Sequence, residues 1–246
     1  MLTDDRLHRL VADLASPDPV VRDDGAYAEL TRVVLAGELT SDQSLRLGAL
    51  MVERLTHPEP QARSFAPLVL AVLATRGVVQ PGWVEAVCRW YTTEPDLRGH
   101  DPELGWVHAA AHGADCLAAF GAAGAAAPQG LLVTLAQRLV APTAYVFRDQ
   151  EDDRIAHAAA TLLSDGRMGA EADDGWLTPM GELLAAGEAG PVPPQVSNTL
   201  RTLRCLSFVL GQQLLVDGVV VVVPRAEAVQ AAIATTLQPA TPWMYA

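Results

Sequence analysis

The sequence predicts an all-α protein, built as a curved, right-handed solenoid of stacked helical hairpins. Apolar residues recur at helical spacing along almost the whole chain of 246 residues. Half of the residues are apolar and only 5% are aromatic, and this Ala-, Leu- and Val-rich composition favours closely packed helices. An acidic residue followed by proline also recurs at Pro19, Pro60 and Pro102, which stand 41 and 42 residues apart.

That spacing is typical of HEAT- or armadillo-like repeats, in which each unit of ~40 residues is a pair of helices. The text after the prolines also matches, because Arg22 and Arg63 stand three residues after the first two of them. Gly105 takes the arginine position in the third copy, and Arg154 takes it in a weaker fourth copy. An arginine at this position resembles the HEAT consensus, where it usually bridges to acidic residues of the adjacent repeat.

Turn signals divide the chain into eleven predicted helices. An acidic residue and a proline in the first turn suit the positive end of a helix and its spare N–H groups. The predicted helices span residues 4–14, 20–36, 41–56, 61–76, 81–93, 102–121, 128–140, 151–164, 174–186, 195–215 and 225–237.

The segments between these helices are predicted to be connections and not domain boundaries. Residues 121–130 and 187–194 are rich in small residues and proline, and we expect flexible interhelical loops there. The valines of residues 219–223 form either a short edge strand or the end of the preceding helix. We therefore expect a single solenoid domain over residues 1–246, with a loosely held tail from about residue 239.

Charge and cysteine usage exclude several classes of protein. The net charge of −12 and the pI of about 4.8 argue against general binding to DNA or RNA, whose phosphates an acidic chain repels. The three cysteines lie far apart and form no CxxC pair, which fits a reducing cytoplasm better than a disulfide framework. We find no signal-peptide core and no apolar run of ~18 residues, so we expect a cytoplasmic protein without a membrane span.

The stretch "RGHDPELGWVHAAAHGADCLAAF" places ionisable residues on an alanine-rich predicted helix. At ~100° per residue, His108, His112 and Asp115 fall within roughly 60° of arc and share one face. Trp106 is predicted to point the other way. The two histidines are also spaced i, i+4, which suits chelation of a divalent metal, with Asp115 orienting His112 from behind.

Three interpretations of this polar face stay open. His108 and His112 could bind a metal, with His157 as a further ligand, because His157 occupies the place in the fourth copy that His108 occupies in the third. His112 and Asp115 could instead form a buried polar pair that fixes the register of packed helices. The face could also line a metal-free pocket for a small polar molecule.

Other residues near this helix extend the candidate site. Arg98, in the loop before the helix, could aim its guanidinium at an anionic group or could stabilise the loop. Arg63 and Arg154 would add positive charge, and Trp106 could wall a pocket. The chain has no H-E-x-x-H motif, no glycine-rich phosphate loop and no dinucleotide fingerprint, so we expect no nucleotide cofactor.

The text "RGH…GWVHAAAHGADCL" resembles the signature RGY…GW-x-HA-x-AH-x-AD-x-L of a bacterial family catalogued only as a domain of unknown function. The segments "VRDDGAYAEL", "ARSFAPLVLAVL", "DQEDDRIAHAAATLL" and "TLRTLRCLSFVL" are similar to others of that family, so the resemblance covers about residues 18–210. It implies an all-helical, HEAT-like fold and a shared polar site. The motif positions that carry over are Arg63, Arg98, Gly99, Trp106, His108, His112, Asp115 and Arg154.

This sequence departs from the family pattern at His100, where the pattern has tyrosine, and at Arg204-Cys205, where an aromatic residue is usual. The resemblance brings no established activity, so function rests on the chemistry of the residues. We expect a helical-repeat protein that binds a small polar, anionic ligand, with His108, His112 and Asp115 able to do acid–base work. The alternatives are a non-enzymatic HEAT-like scaffold that grips a protein segment, and a metal-dependent hydrolase that uses the two histidines.

Overall fold

The structure is a computed structural model, and it describes residues 2–168, 174–187, 190–216 and 218–244. The chain divides into two compact units, residues 1–126 and residues 127–246. The predicted all-α class is confirmed, because the described residues are mostly helical with four short strands. Parts of the predicted loop 187–194 and of the predicted tail lie outside the described residues. The prediction of one solenoid over residues 1–246 stays a prediction.

The first unit contains six α-helices, a π-helix and a small hairpin among its described residues. Its elements are α1 (Asp4–Asp13), a π-helix (Val20–Tyr27) that continues into α2 (Ala28–Leu35), α3 (Ser41–Arg54), α4 (Pro60–Thr75), α5 (Pro81–Thr93), β1 (His100–Asp101), β2 (Gly105–Trp106) and α6 (Ala109–Ala122). The core of the unit is the packing of α4 against α6, with α3 and α5 at its sides.

The second unit is again helical, with a two-stranded ribbon near its end. Its elements are α7 (Pro128–Val140), α8 (Glu151–Leu163), a 3-10 turn (Gly175–Leu177), α9 (Thr178–Ala185), α10 (Pro194–Leu210), β3 (Leu214–Val216), β4 (Val219–Val221), α11 (Ala226–Leu237) and two short 3-10 turns (Gln238–Ala240 and Pro242–Met244). Helix α10 packs against α8 on one side and α11 on another.

Two of the three proline starts are confirmed. Glu59 and Pro60 open α4 as N-cap and first residue. At the first copy the Asp18 carboxylate accepts the Val20 N–H at 2.9 Å, and the chain then enters the π-helix. A π-helix is rare and frequently occurs at a functional site.

The third proline start is wrong, because Pro102 lies in the turn of a hairpin and not in a helix. The Asp101 carboxylate accepts the N–H groups of Glu103 and Leu104 at 2.9 and 3.0 Å, which closes a turn in place of a helix cap. Gly105 then adopts φ +69°, the left-handed region that favours glycine. The helix predicted over residues 102–121 therefore begins at Ala109.

One helix ends earlier than predicted, and the structure decides between the two alternatives for the valine run. The helix predicted over 195–215 ends at Leu210, and the chain turns into strand β3. Of the two alternatives for the valine run, the strand is the observed one, over Val219–Val221.

In the part of the chain that the structure describes, no helix has both the length and the apolarity needed to cross a membrane.

Small residues allow the helices of the first unit to pack closely. Ala62 and Ala66 on α4 and Ala110 and Ala114 on α6 are fully buried. A Cβ atom added at Gly113 of α6 would lie 2.2 Å from the ring of Tyr91 on α5. The glycine is therefore required by the approach of α5 to α6.

We predict that Gly113→Ala lowers the free energy of unfolding by about 1–3 kcal/mol, because the added methyl group must displace a buried aromatic ring. The matched control is Gly82→Ala on α5, where an added Cβ meets nothing within 4 Å. That control should be neutral or should stabilise by up to ~1 kcal/mol, since alanine is the better helix former. Urea denaturation of the two variants measures the difference, and equal effects would contradict this packing.

Candidate functional site

The hairpin of β1 and β2 is the platform of the candidate site. His100 pairs with Trp106 and Asp101 pairs with Gly105 in antiparallel register. Beyond the strands, the N–H of Val107 donates to the carbonyl oxygen of Gly99 at 2.9 Å. These contacts place Trp106 at the surface, three residues before α6 begins at Ala109.

Arg22 of the π-helix holds this hairpin from below. Its guanidinium is fully buried, and Nη2 donates to the carbonyl oxygens of Leu104 at 2.7 Å and Trp106 at 3.2 Å. Nε donates to the carboxylate of Asp23 at 2.6 Å. Burial raises the pKa of Asp23 despite the opposing effect of Arg22, so the pair lies where water has limited access.

A continuous series of ring contacts passes through the interior of the first unit and reaches its surface at Trp106. The inner part packs edge to face, with ring centroids 5.8, 5.2 and 5.6 Å apart. The outer part consists of an imidazole stacked on an indole at 4.9 Å and 24°, with a second imidazole at the indole edge. In order, the rings belong to Tyr27, Phe65, His112, His108, Trp106 and His100.

Burial changes along this series of rings. His108 and His112 are buried, at 6% and 7% exposure, whereas Trp106 is 44% exposed. The sequence predicted that Trp106 points away from the histidines, and this is wrong, because the hairpin brings the indole onto the His108 ring. Solvent therefore reaches the indole first and the two imidazoles lie beneath it.

A backbone carbonyl group fixes the orientation of His112. Its Nδ1 atom lies 3.1 Å from the carbonyl oxygen of Ser64 on α4. A carbonyl oxygen only accepts hydrogen bonds, so Nδ1 carries the proton. In the neutral ring the lone pair is then on Nε2, which is the arrangement of a general base or an acceptor.

The start of α6 is buried and lacks a side-chain cap. His108 is the N-cap residue in the left-handed conformation, with φ 49° and ψ 34°, which is uncommon for a residue other than glycine. The N–H groups of Ala109, Ala110 and Ala111 have no acceptor among the described residues, and these alanines are at most 2% exposed. A buried helix N-terminus of this kind is electropositive and offers donors to an anion.

The guanidinium of Arg63 is paired with a carboxylate and does not contribute an unpaired charge to the ring series. Its guanidinium makes a two-point contact with Glu94 at 2.7 and 2.8 Å and also donates to two carbonyl oxygens. Glu94 raises the pKa of Arg63, and the Trp90 indole donates to the same carboxylate at 2.7 Å. Arg63 is thus held in an ion pair inside the first unit.

Arg98 is also engaged by carboxylates, although it remains 40% exposed. It contacts Asp96 through Nη2 at 2.7 Å and contacts Asp101 through Nη1. Burial raises the pKa of Asp96, but the hydrogen bonds from Arg98 outweigh it and hold that pKa below its usual value. Arg98 therefore stabilises the loop, which is one of the two roles left open by the sequence.

Arg154 and His157 lie on α8 in the second unit and are both exposed. The His157 Nε2 atom lies 2.7 Å from the carbonyl oxygen of Leu215 on β3. These two predicted site residues are thus described within a different compact unit from His108 and His112.

Asp115 is half-buried on α6, next to the fully buried Cys116. Burial, followed by the charge of Asp115, raises the pKa of the Cys116 thiol well above its usual value. Cys116 is therefore a neutral core side chain and not a nucleophile.

The described residues contain no group of three or more His, Cys, Asp or Glu side chains placed to hold a metal ion. A cleft of about 540 Å³ lies elsewhere in the first unit. It is lined by Asp4, Thr40, Asp42, Gln43, Leu45 and Arg46.

The comparison with protein families matches residues 52–208 to a family described as a protein of unknown function, DUF2785. The chain belongs to the DUF2785 family. No curated protein and no solved structure matches the chain. The segment that matches DUF2785 contains His108, His112, the β1–β2 hairpin and α4, whereas Arg22 lies before it.

Sequence reasoning missed two contributors to the site of this DUF2785 member. Arg22 was assigned only to the bridging position of a repeat, and Phe65 was not singled out. Phe65 contacts His112 at 5.2 Å and lies under the Arg22 guanidinium at 4.7 Å. The signal for both was present, because "VRDDGAY" and "ARSF" stand at matching places in consecutive copies of the repeat.

We predict that Arg22→Lys lowers the free energy of unfolding by about 3 kcal/mol, because lysine cannot contact Asp23 and the two hairpin carbonyl oxygens together. The control is Arg9→Lys on the exposed side of α1, which should change it by less than ~0.5 kcal/mol. Urea denaturation followed by tryptophan emission measures both. A result for Arg22→Lys within error of Arg9→Lys would show that the guanidinium does not hold the hairpin.

Proposed function

We propose that the first unit binds a small anionic ligand at the N-terminus of α6, against the ring series of Trp106, His108 and His112. The observation that carries the proposal is the buried, uncapped start of α6, whose first three N–H groups have no acceptor among the described residues. Leaving several backbone donors unsatisfied inside a protein costs free energy, and an anionic oxygen satisfies them.

The charge at this site comes from the helix end and the imidazoles. The guanidinium groups of Arg63 and Arg98 are already paired with carboxylates, so they add little free positive charge. A helix N-terminus carries about half a positive charge. A ligand with one carboxylate or phosphate group therefore fits this site better than a polyanion.

The rings supply recognition and a route for protons. Trp106 is the exposed member of the stack, so a ligand approaches from the indole side and displaces it from His108. His112 presents Nε2 as acceptor while Ser64 holds Nδ1. Histidine is the side chain that exchanges protons most readily near neutral pH, so acid–base catalysis on the bound ligand is compatible with this geometry.

Binding at α6 is tested by titrating the isotope-labelled protein with inorganic phosphate, acetate or succinate. We predict saturable shifts of the amide resonances of Ala109, Ala110 and Ala111 at about millimolar anion, because these N–H groups would donate to the ligand. Chloride at equal ionic strength controls for screening.

The start of α8 is the matched control within the chain. It also follows a left-handed residue, Gln150, but its first turn carries Glu151, Asp152 and Asp153, which repel anions. Its amides should not shift. Equal responses at both helices, or none at α6 with any of the three anions, would overturn the proposal.

We predict that His112→Phe weakens binding of the best of these anions at least tenfold while the melting temperature falls by only a few degrees. Phenylalanine keeps the edge contact with Phe65 but removes both ring nitrogens and leaves the Ser64 carbonyl without its donor, at a cost of about 1–3 kcal/mol. Trp243→Ala, in the second unit and 79% exposed, serves as a control for handling of a surface variant. If His112→Phe unfolds most of the protein but the folded fraction binds the anion with unchanged affinity, His112 has a purely structural role.

The alternative of a metal-dependent hydrolase has less support, because no set of three metal-binding side chains meets among the described residues. A scaffold that grips a protein segment remains compatible with the fold.

We further propose that the helices stack in the HEAT-like manner and that the protein is bacterial and cytoplasmic, without nucleic-acid or membrane partners. The bridging Arg63–Glu94 pair supports the first point. Three cysteines outside any disulfide support a reducing compartment, and the net charge of −12 argues against phosphate-backbone partners.

A further inference from the structure

The second unit contains an apolar β-ribbon between α10 and α11 that, among the described residues, belongs to no larger sheet. Strands β3 and β4 pair antiparallel, with Leu214 opposite Val221, Leu215 opposite Val220 and Val216 opposite Val219. In the described part of the chain this sheet has two strands. A two-stranded ribbon has two outer edges, and each carries backbone donors and acceptors that a further strand can use.

The edge of β3 is already covered by α8. The Nε2 atom of His157 donates to the carbonyl oxygen of Leu215 at 2.7 Å. Helix α8 packs against β3, and Leu214 is buried. The side chain of a helix thus occupies the place that a neighbouring strand would take on this edge.

Among the described residues, no further strand pairs with the outer edge of β4. In a hairpin with two residues between its strands, the pair next to the connection exchanges both backbone hydrogen bonds, and the following pair points its N–H and C=O groups outward. Leu215 and Val220 form that second pair, which agrees with the Leu215 carbonyl reaching His157. The N–H and C=O groups of Val220 therefore face away from β3.

The side chains along this edge are apolar and accessible. Val219, Val220 and Val222 are 63%, 53% and 78% exposed. Residues 219–223 are all valine and carry no charge, although Asp217 stands two residues before them in the sequence and the whole chain has a net charge of −12. Natural edge strands are usually protected by lysine, proline or a bulge, and none of these occurs within β4.

We infer that β4 pairs with β4 of a second copy of this chain, forming a four-stranded antiparallel sheet across a twofold axis. The charge pattern favours this occupant. A basic peptide would need acidic side chains along the edge and a membrane surface would need basic ones, and the valine run 219–223 supplies neither. Two acidic chains repel each other except where their surfaces are uncharged, as here.

The valine run is also self-complementary. With Val220 on the twofold axis, the N–H of each copy donates to the Val220 carbonyl oxygen of the other, and Val219 packs beside Val221 across the interface. A twofold contact of this kind uses the same patch on both copies. Because His157 covers the outer edge of β3, the assembly closes at two copies and does not extend into a fibre. This inference does not depend on the anion site of the first unit.

Sedimentation velocity from about 2 to 200 μM tests the assembly, since a small interface gives a dissociation constant in the micromolar range. We expect a concentration-dependent species of twice the 26.1 kDa chain mass. Hydrogen exchange adds a local readout, because the Val220 amide should become protected as the concentration rises. A monomer throughout this range would overturn the inference.

Val220→Pro removes the outward N–H without touching a ribbon hydrogen bond and should weaken dimerisation at least tenfold. Val220→Thr keeps that N–H and should leave the dimer intact.

Val222→Arg is a second, independent variant. It places a charge beside the edge, at a residue beyond the paired strands, and should dissociate the dimer without affecting the hairpin. Circular dichroism and melting curves check that each variant is folded. A dimer that withstands both Val220→Pro and Val222→Arg would place the contact elsewhere and overturn the inference.

Discussion

The buried guanidinium of Arg22 is the interaction on which the candidate site depends. A charge without solvent costs several kcal/mol unless hydrogen bonds replace its hydration, and Arg22 meets this condition through Asp23 and the carbonyl oxygens of Leu104 and Trp106. The same bonds fix a hairpin that has only two residues in each strand and would be too short to be stable alone. Fixing Trp106 in turn fixes the position where α6 begins, so one buried charge sets both the exposed ring and the helix end.

The helical class was predictable because apolar periodicity is a local property of the sequence, and so are the proline starts at Pro19 and Pro60. The failure at Pro102 has a physical cause. Asp101 is as good a turn residue as it is a helix cap, and the choice falls to the turn because Gly105 accepts a left-handed conformation and Arg22 captures the carbonyl oxygens that follow. The decisive partner lies about eighty positions earlier in the chain, where a search for local signals does not find it.

The site was predictable only in part. That His108 and His112 lie together was predictable from their spacing, and their ring centroids are 5.6 Å apart. Their surroundings were not predictable, because the sequence does not say which arginines are already paired. Arg63 stands at the repeat position and in the family-like motif, and only the structure shows Glu94 opposite it. A pattern of charged residues predicts ion pairs and ligand sites equally well, and partners distant in sequence decide between them.

A comparison of α6 with α8 shows why the uncapped start of α6 is informative. Both helices follow a non-glycine residue in the left-handed conformation, His108 in one case and Gln150 in the other. The first turn of α8 holds three acidic residues, and the Glu151 carboxylate accepts backbone N–H groups from the preceding loop, with burial raising its pKa. The protein thus uses its own carboxylates at one such helix start. At α6 the corresponding positions are alanines, which carry no negative charge. An anion at the positive end of α6 must therefore be supplied by another group, such as a bound ligand. The exposed indole of Trp106 marks the side from which such a ligand would approach.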